Sequence, residues 1–234
     1  DNEVVFRPYF GEYRSYASNF HAQIVEVDPQ LPSFQPDLED FARKVDARTK
    51  AVIINNPVNP SGVVYSEETL RCIAKILEEK QKLYGHEIYL ISDEPYREIA
   101  YDGVEIPYVT KFYANTFVAY SFSKTLSIPG ERIGYLIVSP EMKQWREMAN
   151  AVTVANRVCG FVNAPSLLSK RLLHLLRLLL QSLSFFQFLQ TVCQPSLQDT
   201  LQRSGRLLLR QEPDTYSFPT SSTSLTSCIN LTLT

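Results

Sequence analysis

The sequence predicts an α/β fold over residues 1–165: a mostly parallel sheet with flanking helices. Three observations carry that expectation. Short apolar runs alternate with helical periodicity from Asp1 to about Pro165, the pattern of βαβ units. Several of those runs read as buried strands. A polar cluster follows directly on three of them, where an open α/β sheet carries its ligand-binding loops.

The elements follow in chain order. Glu3 to Phe6 is a strand, Tyr13, Tyr16, Ala17 and Phe20 repeat at helical spacing, and Gln23 to Val27 is a second strand. Asp37 caps a short helix carrying Leu38, Phe41, Ala42 and Val45. Lys50 to Asn55 is a buried strand. Ser66 is the N-cap of the next helix, with Glu67 and Glu68 suited to its positive first turn. Leu70, Ile73, Ala74 and Leu77 form its apolar face, and Gly85 ends it. His86 to Ser92, Thr116 to Ser121 and Arg132 to Val138 are three further strands. Ser139 and Pro140 place an N-cap and an N1 proline at the start of a helix running through Trp145.

Composition narrows the class of partner. A chain of 234 residues with 44% hydrophobic and 21% charged residues is long enough for one sizeable core, or for one domain and part of another. Its 23 basic and 25 acidic residues leave a formal charge of -2 and no dense basic run, which argues against nucleic acid or an anionic membrane and for a small, near-neutral partner. Cys72, Cys159, Cys193 and Cys228 lack the spacing of a zinc or redox site, so no metal is expected and the thiols read as reduced, in a cytoplasmic protein. The chain begins at Asp1 with no basic segment and apolar run behind it, so no secretion signal is read and a start within a domain is expected.

The character changes after about Ser166. Residues 166–234 contain no alanine and one glycine, Gly205, with Leu, Ser, Gln, Arg and Thr dominant. His174, Arg177 and Gln181 interrupt the leucine-rich run from Leu172 to Gln190 before the roughly 20 apolar residues of a membrane span are reached. Gln211 to Thr234 shows neither helical nor strand periodicity. The expectation is a partial domain over 1–165 followed by an aberrant tail, either a frame change or divergent splice end, or a low-complexity helical extension.

The chemistry rests on the three polar clusters: Asn55-Asn56-Pro57-Val58-Asn59-Pro60-Ser61-Gly62, Asp93-Glu94-Pro95-Tyr96 and Ser121-Phe122-Ser123-Lys124. Groups beyond the carboxyl ends of strands converge on one crevice, so the three imply one site. A pyridoxal cofactor needs a lysine amine for its aldehyde and an acid beside its pyridine nitrogen, because the protonated ring is the electron sink. Lys124 and Asp93 suit those roles. Asn59 and Tyr96 can serve the ring 3-oxygen, while Ser121, Ser123 and Arg132 can meet the phosphate. Taken singly, a lysine after a strand is usually solvated, and an aspartate before Glu-Pro usually forms a turn. Order and spacing together make the case.

These motifs, N-N-P-V-N-P-S-G, S-D-E-P-Y and S-F-S-K-T-L-S-I-P-G-E-R-I-G-Y, resemble the class I/II aminotransferases of the fold-type I pyridoxal-phosphate (PLP) enzymes, over Asp1 to about Pro165. The spacing from Lys124 to Arg132 matches the family's Schiff-base lysine and phosphate arginine. The resemblance implies an incomplete PLP-dependent transferase large domain, with Lys124 bound to PLP, Asp93 at the pyridine nitrogen, Asn59 and Tyr96 at the 3-oxygen, and Ser121, Ser123 and Arg132 at the phosphate. Phe10, in Pro8-Tyr9-Phe10, stands where the family stacks an aromatic ring on the cofactor. Lys124, Asp93 and Tyr96 are the implied catalytic residues. The resemblance also implies a homodimer and amino-group transfer between an amino acid and a 2-keto acid, with PLP-dependent lyases or synthases of the same fold and an inactive fragment as alternatives. The family's glycine-containing phosphate segment is expected upstream of Asp1 and its carboxylate-binding arginine beyond Pro165, so weak PLP capture and little turnover are expected of these residues alone.

Overall fold

The computed structural model describes residues 1–172, 174 and 178. One compact unit spans Asp1–Ala164. In order it comprises β1 (Asn2–Phe6), α1 (Tyr13–Asn19), β2 (Gln23–Val27), β3 (Pro29–Gln30), β4 (Gln35–Pro36), α2 (Leu38–Lys44), β5 (Thr49–Asn55), α3 (Glu67–Tyr84), β6 (Tyr89–Asp93), β7 (Thr116–Ser121), α4 (Phe122–Thr125), β8 (Gly134–Val138) and α5 (Trp145–Val158). A second unit begins at Pro165, and its described residues 166–172, 174 and 178 are helical. The rest of the expected tail lies outside the described residues.

Six strands form one sheet in the order β2-β1-β5-β6-β7-β8, with β3 and β4 a separate antiparallel pair. All neighbours in the large sheet are parallel except β7 and β8. The expected α/β architecture with a mostly parallel sheet is therefore present. One face carries Val4, Phe6, Val52, Ile54 and Leu90 against Phe41 of α2 and Leu70, Ile73, Ala74 and Leu77 of α3, all buried. The other face packs Val5 and Ile53 against Tyr13 of α1. Burying these side chains supplies the driving force, at about 25 cal/mol per Å² of apolar surface.

Local chemistry fixes the helix ends. Asp37 accepts hydrogen bonds from the backbone N–H groups of Glu39 and Asp40, and Ser66 accepts one from Thr69. Gly85 closes α3 in the left-handed region at φ 70°, where a side chain would be strained.

Three boundaries depart from the sequence-based expectation. β6 begins at Tyr89 rather than His86, because the Ile88 N–H donates to the Gln81 side chain at 2.9 Å instead of joining the ladder. Arg132 is not a strand residue: it sits at φ 50° after the turn Pro129–Glu131, and β8 starts at Gly134. Ser139 and Pro140 do not open a helix. The Ser139 N–H donates to the Thr116 carbonyl at 3.0 Å, extending the β7–β8 ladder, and α5 starts at Trp145, where the expected helix was to end.

Gly134 pairs with Ser121 across the β7–β8 ladder. A Cβ at this position would lie 2.3 Å from the Tyr120 carbonyl oxygen and 3.2 Å from the Ser121 Cα. Both are backbone atoms and cannot rotate away. Gly134→Ala is expected to destabilise the fold by about 1 to 3 kcal/mol through overpacking, read as a lower denaturant midpoint at unchanged slope. Among the described residues no helix is long and apolar enough to cross a membrane, and no group of His, Cys, Asp and Glu could hold a metal ion.

Candidate active site

The three polar clusters meet at one edge of the sheet. Asn55 ends β5 and pairs in register with Asp93 at the end of β6, and Asp93 pairs with Ala119 near the end of β7. Since β8 runs antiparallel, its first residue Gly134 stands opposite Ser121, so Arg132 enters from the same edge. The buried Asn55 side chain joins two clusters: its Nδ2 donates to the Asp93 carbonyl at 2.8 Å, and its Oδ1 accepts from the Asn59 N–H at 2.6 Å. Asn56 Oδ1 accepts the Tyr65 N–H at 2.9 Å and closes the loop on its far side.

Asp93 is fixed at main chain and side chain. The Glu94 N–H donates to the Ala119 carbonyl at 2.8 Å, which continues the ladder past the carboxylate. The Tyr13 hydroxyl donates to Asp93 Oδ2 at 2.5 Å across 80 residues of sequence. Burial holds the Asp93 carboxyl above the usual aspartate range, the Tyr13 hydrogen bond opposes that rise, and the Glu94 carboxylate adds to it. A folded value above the unfolded one makes ionisation of Asp93 costly to folding. This group's contribution is favourable below about pH 3.9 and is lost as pH rises through the folded value.

Asn59, Tyr96 and Lys124 lie together. Asn59 Nδ2 donates to the Tyr96 hydroxyl at 3.1 Å, and the Lys124 Nζ stands 5.9 Å from the centre of the Tyr96 ring. Lys124 rides on the short α4, whose N-cap Ser121 accepts the Ser123 N–H at 3.2 Å and donates to the Ser123 hydroxyl at 2.8 Å. Glu98 ties this turn to the Tyr96 loop, accepting from the Tyr120 hydroxyl at 2.8 Å and the Thr125 hydroxyl at 3.2 Å.

A buried ion pair holds that loop in turn. Glu94 is 3% exposed, accepts from the Ser92 hydroxyl and the Arg97 Nε at 2.7 Å each, and so has both carboxylate oxygens engaged. Arg97 also donates to the carbonyls of Ile106 at 2.5 Å and Pro107 at 3.1 Å, while its guanidinium lies 4.2 Å from the Tyr108 ring centre.

Two expected site residues stand further from this cluster. The Arg132 guanidinium is exposed and donates to the Pro129 carbonyl at 2.8 Å rather than to the Ser121 or Ser123 hydroxyls. Its charge still reaches this end of the sheet. The Tyr16 hydroxyl, pushed up chiefly by its hydrogen bond to Glu12 and by burial, is raised further by Asp93 and lowered by Arg132. Phe10 is half-exposed and packs edge-on against Tyr13, ring centres 5.7 Å apart, so it touches the partner of Asp93. No hydrogen bond joins Lys124, Asp93 and Arg132 directly among the described residues.

By sequence Tyr13 belongs to an apolar helix face, which gives its hydroxyl no partner. The available signal was the density of aromatics at Tyr9, Phe10, Tyr13 and Tyr16 before a short helix. Asn55 and Glu94 belonged to the motifs, but their joining roles need the register of β5 and β6 to become visible.

A family model described as "Aminotransferase class I and II" matches residues 1–211. The probable aspartate/prephenate aminotransferase of Aquifex aeolicus is 35% identical over 161 residues, covering 67% of this chain and 39% of that protein. Its counterpart of the same name from Thermus aquaticus is 36% identical over 137 residues, 58% of this chain and 34% of that one. Among solved structures, an amino transferase from Eubacterium rectale superimposes with a TM-score of 0.71 at 48% identity, covering 73% of this chain and 43% of that one. The aspartate aminotransferase of Thermus thermophilus with maleate gives 0.56 at 30% identity, over 67% and 39%. The chain thus spans between 34% and 43% of the length of these relatives.

Proposed function

Because the chain belongs to the aminotransferase class I and II family, we propose that residues 1–165 carry the cofactor-binding part of a PLP-dependent aminotransferase, which moves an amino group between an amino acid and a 2-keto acid. The observation that carries this reading is the meeting of Asn59, Tyr96 and Lys124 at the sheet edge that also holds Asp93.

The donor set suits PLP. Asp93 keeps one carboxylate oxygen, Oδ1, without a hydrogen bond among the described residues, and an acid there would hold a proton on a pyridine nitrogen. Asn59 Nδ2 and the Tyr96 hydroxyl would donate to the ring 3-oxygen. The paired hydroxyls of Ser121 and Ser123, with Arg132 re-aimed from the Pro129 carbonyl, would meet the phosphate. Phe10 would lie against the ring, and Lys124 would engage the aldehyde. When bound, PLP supplies an electron sink conjugated to the amino acid Cα.

The chain's own groups do the rest. The Lys124 amine, carried on α4, would accept the proton from Cα and return one, as general base and acid. Asp93 would keep the ring nitrogen protonated, and Tyr96 and Asn59, which lie together, would steady negative charge on the ring 3-oxygen.

The test is a single-turnover experiment. The chain is loaded with PLP and mixed with aspartate, an aromatic amino acid or alanine, and the cofactor spectrum and keto acid are followed together. Conversion of the cofactor to its amine form, matched by one keto acid per site, supports the reading. Elimination products without the amine form would assign the site to a lyase. No spectral change with any donor would leave a non-catalytic fragment.

A further inference from the structure

We propose that Tyr13 is a positioning residue that orients the Asp93 carboxylate and keeps it ionised, by donating its phenolic proton to Oδ2 and leaving Oδ1 to face the site. The consequence for catalysis rests on the reading of Asp93 as the partner of the cofactor ring.

The geometry leaves the phenol little freedom. Tyr13 is 6% exposed, the first residue of α1, and packs on Val5 and Ile53 of the sheet. The Tyr9 ring lies parallel to it at 6.3 Å between centres, Phe10 meets it edge-on at 5.7 Å and Tyr16 tilts against it at 6.5 Å. A ring so enclosed can aim its hydroxyl in one direction, and Asp93 Oδ2 lies 2.5 Å away in that direction. The bond therefore selects one rotation of the carboxyl group and with it the direction of Oδ1.

Donor and acceptor roles are also settled. Burial, reinforced by the Asp93 charge, holds the Tyr13 hydroxyl well above the usual tyrosine range, so the phenol stays protonated and is the donor in its bond to Asp93 Oδ2. A donor that bonds a carboxylate favours its charged form. This matters because the other influences on Asp93 oppose ionisation. Burial raises its pKa, and Glu94, the charged neighbour on its own loop, raises it too. From α1 the facing titratable groups are Tyr13 and, further off, Tyr16; Tyr96 acts on Tyr13 from the loop after β6. From β5 and β7 the register neighbours Asn55 and Ala119 carry no charge. Tyr13 is thus the local group that works to keep Asp93 an anion.

Tyr13→Phe keeps the ring contacts and removes the hydroxyl. Asp93 is followed by carboxyl carbon NMR in the chain without PLP, its resonance assigned by its loss in Asp93→Asn. Tyr13→Phe is expected to raise the Asp93 pKa by about one to two pH units, the equivalent of one hydrogen bond to a charged group. An Asp93 titration unchanged by Tyr13→Phe would overturn the proposal even if stability fell, since this change keeps the ring that helps to bury the carboxyl and removes only the hydroxyl. Should the variant fail to fold, the wild-type chain provides the second measurement: a downfield hydroxyl proton of Tyr13 that is present in the wild type and lost in Asp93→Asn supports the bond, and its absence from the wild type overturns it. The cofactor reading is tested separately by adding PLP to Asp93→Asn. If the spectrum of the captured cofactor matches that of the wild type while Tyr13→Phe still shifts Asp93, the Tyr13 proposal stands and the assignment of Asp93 to the ring nitrogen falls.

Discussion

Lys124→Ala is expected to abolish covalent capture of PLP and, with cofactor supplied in excess, to slow the single-turnover amino transfer by about two to four orders of magnitude, the range attributed to a positioned general base. The substitution is informative because it costs the fold little. Lys124 is exposed, on the single turn of α4, and the Ser121 cap and Glu98 tie that fix this helix do not involve its side chain. Alanine is a good helix former, and surface replacements of this kind change stability by about 0.5 kcal/mol or less. Loss of cofactor chemistry at unchanged denaturant midpoint is therefore the expected result, measured by absorbance and unfolding on the same preparation. Undiminished capture by Lys124→Ala would remove this residue from the chemistry.

The second large effect falls on stability. Arg97→Ala is expected to destabilise the chain by about 3 to 5 kcal/mol, because it leaves the Glu94 carboxylate buried and stripped of its cationic partner. The same change frees the carbonyls of Ile106 and Pro107 and loosens the turn that presents Tyr96. Exposed pairs such as Arg48–Asp46 and Arg71–Glu67 offer the contrast, since each contributes about 0 to 1 kcal/mol. Replacing Glu94 and Arg97 together by methionine and leucine should restore much of the loss, which a double-mutant cycle in denaturant would read directly. If Arg97→Ala costs no more than the surface pairs, the buried pair does not organise the loop.

Much of this was legible in the sequence, and the reasons are local. Asp37, Ser66 and Gly85 mark helix ends through bonds to residues within four positions, so short windows of sequence contain the whole cause. Thr116 to Ser121 and Gln23 to Val27 are short runs rich in β-branched and aromatic residues, whose strand character needs no partner to recognise. The polar clusters could be assigned to one edge because parallel strands present their carboxyl ends together.

The misreadings share a different cause. Ser139-Pro140 has the chemistry of a helix start, but the antiparallel partner β7 claims the Ser139 N–H, and a ladder bond to Thr116 across 23 positions is invisible in a window around residue 139. Arg132 belonged to an apolar run by composition, yet the turn Pro129–Glu131 places it in the left-handed region before β8 begins. Tyr13 fits an amphipathic helix by its ring alone, and the partner of its hydroxyl, Asp93, is 80 residues away. Long-range polar bonds are what local pattern omits, and here they are the bonds that organise the site.

If Lys124 is the amine on which this site is built, reductive trapping shows it most directly. The chain is incubated with PLP at low excess, reduced with borohydride, digested and mapped by mass spectrometry. The mass of the reduced cofactor is expected on the peptide holding Lys124, ahead of the exposed Lys75, Lys82, Lys111 and Lys143, and to decline there first when Asp93 is changed to asparagine. Label spread over those surface lysines in proportion to their exposure, with Lys124 unremarkable among them, would contradict the account.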